Sequence, residues 1–160
     1  MNGDGIEVAA LAPATTVRTG IALLILRVIG GWALHYHGAP KLGDPLHWLD
    51  DSPGLHAALP GAPQFLEPIV ALAEGIGSYP ITVGLLTRVV AFFIVCDLAT
   101  AVIGVGMLHG RPFVGGRDSY EIPALLLTFA LVLLVAGPGP DSLDALFARR
   151  ATPQPPASSG

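Results

Sequence analysis

Residues 89–108, VVAFFIVCDLATAVIGVGML, form an apolar run of 20 residues broken by a single charge, Asp97. About 20 such residues are what an α-helix needs to cross the hydrocarbon core of a bilayer. Apolar residues do not alternate with polar ones, which argues for a helix and against a barrel strand. Three further runs accompany it at about 18–36, 65–86 and 121–136. Arg27 interrupts the first, while Glu67, Pro68, Glu74 and Pro80 lie in the second. The fourth has only 16 residues and should stand nearly upright. The expected fold is all-α, a polytopic membrane four-helix bundle.

Composition leads to the same class. Of the 160 residues, 52% are apolar and 12% charged, against roughly 25% charged in soluble domains. Mean hydropathy is +0.63. Eight Lys and Arg against 12 Asp and Glu leave a formal net charge of −4, a poor match to nucleic acid. One cysteine, Cys96, supplies no internal disulfide, dithiol or Cys-based metal site, and is expected to be a buried, inert thiol.

The punctuation fits four spans. Gly84-Leu85-Leu86-Thr87-Arg88 reads as a tight turn between spans two and three. Pro123 lies in the first turn of span four, where a missing N–H costs little, and Gly137-Pro138-Gly139-Pro140 ends that span. Ser142 is placed to cap a short amphipathic stretch with Leu143, Leu146 and Phe147 on one side. Residues 1–17 and 149–160 are expected to be disordered tails flanking a membrane domain over 18–148. A cleaved signal peptide is disfavoured by Asp4 and Glu7 ahead of the first run. Arg18, Arg88, Arg149 and Arg150 fall on one side and Lys41, Arg111 and Arg117 on the other. This places both termini in the cytoplasm and the 43–63 loop outside.

Arg27 is tenth of 19 residues in its span, Glu74 tenth of 22 and Asp97 ninth of 20. Three ionisable groups at one depth would each cost on the order of 2.5–3.5 kcal/mol if they faced lipid. Arg27 shares a helical face with Gly20, Gly30 and Gly31, Glu74 with Ala71, Gly77 and Ser78, and Asp97 with Thr100, Ala101 and Gly104. Small residues allow close helix packing, so an Arg27 ion pair with Glu74 or Asp97 is expected. Such a triad serves either as structural glue or as a proton-active catalytic or polar-ligand site, with the leftover acid protonated or hydrogen-bonded.

A second polar group gathers at the other-side mouth: His35, Tyr36, His37, Lys41, Glu67, His109, Arg111, Arg117, Tyr120 and Glu121. Glu67 and Glu74 are seven residues apart, on one face and about 10 Å apart along the axis. His35 and His37 point to different helical faces, which speaks against haem or a metal. Ligand contacts are expected from His35, His37, Lys41, Glu67, His109, Tyr120 and Glu121.

The motif His37-Gly38-Ala39-Pro40-Lys41-Leu42, following a helix with Arg27, resembles the R…HGxxKL signature of DoxX-type membrane proteins. Glu74-Gly75, the Gly84–Arg88 turn, Tyr120-Glu121, Gly137-Pro138-Gly139 and Ser142-Leu143-Asp144 are similar to further pieces of that family. The likeness covers roughly residues 18–148, with Pro40 and Asp97 departing from the pattern. It implies a four-helix protein of the bacterial inner membrane, associated with redox chemistry and binding a quinone-like or other small apolar ligand. No flavin or iron–sulfur motif is present, so electrons would pass through a bound quinone or through a soluble or membrane redox partner. In that reading Glu74 and Glu67 handle protons, Arg27 holds the charge of the site, and His37 or Tyr120 meets the polar head of the ligand. The alternatives are a non-catalytic docking subunit of a larger complex, a homo-oligomeric one included, and an isomerase or cyclase acting on a lipid-soluble substrate.

Overall fold

The computed structural model describes residues 4–50, 61, 63–115 and 119–151, with side chains from Val17 onward. Helix α1 runs over Asp4–Gly38 and tightens into a 3-10 turn at Ala39–Leu42. The second pass is α2 (Leu66–Ala71), a π-helical turn (Leu72–Ile76) and α3 (Ser78–Val83). The third is α4 (Thr87–Ala99), which widens into a second π-helical segment (Thr100–Met107). The fourth is α5 (Glu121–Ala136), and the short α6 (Leu143–Ala151) follows. This is an all-α, polytopic helical bundle.

Helix α1 begins at Asp4, although a tail was expected over residues 1–17, and Arg149–Ala151 continue α6. Residues 1–3 and 152–160, like Asp51 in the long loop and Arg117, lie outside the described residues.

In α1, the residues turned inward are Gly20, Leu23, Arg27, Gly31, Leu34 and Gly38, three or four apart. That spacing is one stripe of a helix. Its glycines let neighbours approach closely: Gly20 meets Pro140, Gly30 meets the Phe129 ring, and Gly31 meets Thr82. The opposite surface is apolar and uncovered, with Ile29 and Trp32 each 65% exposed. Val135 on α5 is 78% exposed. A small-residue interior beneath an apolar exterior is how helices pack when lipid covers the outside. The segments Val17–Leu42 and Thr87–Met107 are each long and apolar enough to cross a membrane. Between the helices lies a core of Leu23, Leu34, Ile81, Ala91, Ile94, Leu98, Leu126, Phe129, Ala130 and Leu133. Helix α1 packs on α3 and the first π turn, and α4 packs on α5.

One end of the bundle is tied by a cross-chain clasp. Gly84 (φ 73°) and Leu86 (φ 48°) both adopt left-handed backbone in the turn before α4. For Leu86 this conformation costs about 1–2 kcal/mol. Asp144 offsets it: one carboxylate oxygen accepts the Leu86 N–H at 2.8 Å and the other the Thr87 N–H at 3.0 Å. The Asp144 N–H returns a bond to the Gly84 carbonyl at 2.9 Å. Asp144 therefore caps α4 from 57 residues away, satisfying amides that have no partner within their own helix. Ser142 caps α6, its Oγ accepting the Ala145 N–H at 3.1 Å and donating to Gly139 at 2.7 Å. Asp144→Ala should cost about 1–2 kcal/mol, read as a lowered Tm in detergent; an unchanged Tm would show that the turn holds itself.

Candidate functional site

Arg27 belongs to this clasp and does not pair with Glu74 or Asp97. Its Nη2 donates to the Asp141 carbonyl at 2.5 Å, and its guanidinium lies against Gly84 and Ser142 in a position 1% exposed. The acids that stabilise its charge are Asp141 and Asp144. The reason is directional. Helical side chains lean toward the N-terminus, so a long arginine reaches back along α1. Lys41 lies 14 positions onward, toward the other end of the helix.

Lys41 is the cation that Glu74 meets. It sits on the 3-10 turn, with Nζ 2.7 Å from Glu74 Oε2 and 4.5 Å from the centre of the Trp48 ring. Glu74 is 1% exposed and stands in the first π turn. A π turn changes the helical register locally and is frequent at functional sites. Asp97, two residues before the end of α4, places its side chain beside that of Glu74. The side chains of Lys41, Glu74 and Asp97 thus come together from three passes of the chain. His37 lies close enough to interact with both Glu74 and Lys41. Gly38 makes this meeting possible, because a Cβ there would strike the Gly75 amide and the Glu74 backbone.

A second layer braces the site. Ser78 Oγ donates to the Gly75 carbonyl at 2.6 Å, and His35 Nδ1 lies 3.3 Å from the same oxygen. Glu67 fastens the segment after α1: its Oε2 accepts the Leu49 N–H at 3.2 Å, and its carbonyl accepts Trp48 Nε1–H at 2.9 Å. Glu67 and Glu74 are both buried on the inner side of the second pass. In the same segment His47 Nδ1 lies 3.1 Å from Asp44 Oδ1. That hydrogen bond holds Asp44 below the usual carboxylate range and raises His47 above the ordinary 6.5. The contact is complete between those limits; it weakens as pH rises through the raised histidine value and as pH falls through the lowered carboxylate value. Histidine NMR should show His47 titrating above 6.5, with Asp44→Asn lowering it; equal midpoints would exclude the pairing.

The other mouth residues are held elsewhere. His109 is exposed and places Nδ1 2.7 Å from the Gly104 carbonyl of its own helix. Tyr120 packs on Gly106 and against the Phe113 ring, centroids 5.2 Å apart, and Glu121 opens α5. These three belong to the α4–α5 connection. Cys96, expected to be buried, is exposed on the outer face of α4. Among the described residues, no group of three or more His, Cys, Asp or Glu is placed to hold a metal.

A family model described as DoxX matches residues 22–107, more than half of the chain. The chain belongs to the DoxX family. No curated protein and no solved structure gave a match. The DoxX match spans Arg27, Lys41, Glu74 and Asp97, so it includes the whole polar site. It ends before the Asp141–Asp144 half of the clasp. Trp48, Ser78, Asp141 and Asp144 were not singled out from the sequence as site residues. Asp144, in the Ser142-Leu143-Asp144 motif, and Ser78, on the Glu74 face of its helix, carried a signal there.

Proposed function

We infer that this DoxX protein is a multi-pass subunit of the bacterial inner membrane, with both termini cytoplasmic and with a redox role. In it the Lys41–Glu74–Asp97 centre handles a proton for a quinone-like or other small lipid-soluble ligand. The observation that carries this reading is the 2.7 Å Lys41–Glu74 contact with Asp97 beside the same acid. Charged groups gathered inside an apolar bundle are costly and mark functional sites in membranes. Lys41 fills the charge-holding role first expected of Arg27, Glu74 and Asp97 are the proton-active pair, and His37 faces the polar head of the ligand. Electrons reach such a ligand from a soluble or membrane redox partner.

The test is lipid extraction of the purified protein, followed by quinone analysis. A quinone should co-purify in fixed ratio with the native chain and fall at least tenfold in Glu74→Gln of unchanged oligomeric state. A quinone-free native protein overturns the ligand. A second reading, a docking subunit, draws support from Lys41 itself, since its bond to Glu74 also fastens the turn after α1 to the second pass. Under that reading Glu74→Gln lowers Tm and dissociates the complex while no small molecule is lost.

A further inference from the structure

We propose that Asp97 and Glu74 form an acid–carboxylate pair holding one proton, with Glu74 the anion and Asp97 the acid that faces lipid-soluble reagents. The proposal rests on the same centre as the proposed function but needs no ligand to be present.

Two carboxyl groups in contact cannot both be ionised inside an apolar bundle, because like charges at that range repel strongly in low dielectric. One lysine neutralises one of them. Lys41 Nζ is placed on Glu74 Oε2 at 2.7 Å, which selects Glu74 as the anion. Asp97 Oδ2 is buried and receives no N–H or O–H from the described residues, while its neighbour is the Glu74 carboxyl. A proton between the two acids satisfies both. Lys41 and Glu74 are the charged groups acting on Asp97, and His37 stands beside both. Asp97 is also the more open of the two. It is half-buried where Glu74 is 1% exposed, and its neighbour Cys96 is exposed. The site therefore offers a carboxylic acid able to give its proton to an acceptor arriving through the bilayer.

The reagent for such a group is dicyclohexylcarbodiimide, which partitions into lipid and reacts with protonated carboxyls. The acid proton passes to a carbodiimide nitrogen while a carboxyl oxygen bonds to the central carbon. The resulting O-acylisourea rearranges to a stable N-acylurea. Applied at neutral pH to the full chain in vesicles, it should place an adduct on Asp97, located by peptide mass spectrometry. In Glu74→Gln, Asp97 is left as the acid of this centre that faces Lys41, so it ionises and its labelling should fall at least tenfold. In Lys41→Met the pair loses its cation, so labelling of Asp97 should persist or rise. Monodisperse elution in detergent screens the variants for folding, and the wild-type result needs no variant at all. An unlabelled Asp97 in the native protein overturns the proposal, as does equal labelling of Asp97 in Glu74→Gln. Labelling of Asp97 in a chain that carries no quinone leaves the acid pair standing and removes only the ligand of the proposed function.

Discussion

Gly38→Ala is expected to part the first two passes and lower Tm in detergent on the order of 10 °C. The added Cβ would meet the Gly75 amide and the Glu74 backbone, rigid main chain that no rotamer change relieves. Overpacking of this kind costs about 1–3 kcal/mol, and more where backbone must move. The shift has a chemical consequence as well, because Lys41 follows Gly38 by three residues and would be drawn away from Glu74. Gly104→Ala is the internal control. There the nearest atom is Thr100 Cγ2 at 3.7 Å, an ordinary contact, so stability should hold or rise slightly with better helix propensity. Equal Tm values for the two variants would mean that α1 and the π turn do not touch as described.

The second large effect is expected from Arg27→Ala. It removes the donor to the Asp141 carbonyl and leaves a void under Gly84 and Ser142. A buried acceptor stripped of its donor costs about 1–3 kcal/mol, and truncating a buried side chain adds a comparable amount. Because Asp144 binds the Leu86 and Thr87 amides from the same segment, those amides should exchange hydrogen faster once the segment loosens. Arg27→Lys should recover only part of the loss, since an ammonium does not reproduce the planar fork of a guanidinium. Unchanged exchange at Leu86 and Thr87 in Arg27→Ala would separate Arg27 from the clasp. The Glu74 centre, built at the other end of α1, should keep its carbodiimide chemistry in Arg27→Lys.

Hydropathy alone was enough to outline the bundle. The run at 121–136 coincides with α5, and the third run coincides to within two residues with α4 and its π segment. The Gly20–Gly31 stripe also faces inward, because small residues are the signature of close packing whatever the partner. Equal depth along their spans brought Glu74 and Asp97 to one place. Arg27 went elsewhere because depth was judged from backbone position, whereas its guanidinium lies a full side-chain length back along the helix. Lys41 was grouped with the mouth for the complementary reason: it lies past the end of α1, and a 3-10 turn folds it inward. The Asp144 cap spans 57 residues, and no local pattern announces a partner at that distance.

The π turn at Leu72–Ile76 ties the aim of Glu74 to the length of the chain as much as to its side chains. Such a turn amounts to one surplus residue accommodated in an α-helix. Excising a single residue from it would restore ordinary winding and swing everything on one flank by about 100°, since each residue of an α-helix turns by that angle. Glu74 would then leave Lys41 with its identity intact. A sequence otherwise alike but one residue shorter here would carry every motif and lack the centre.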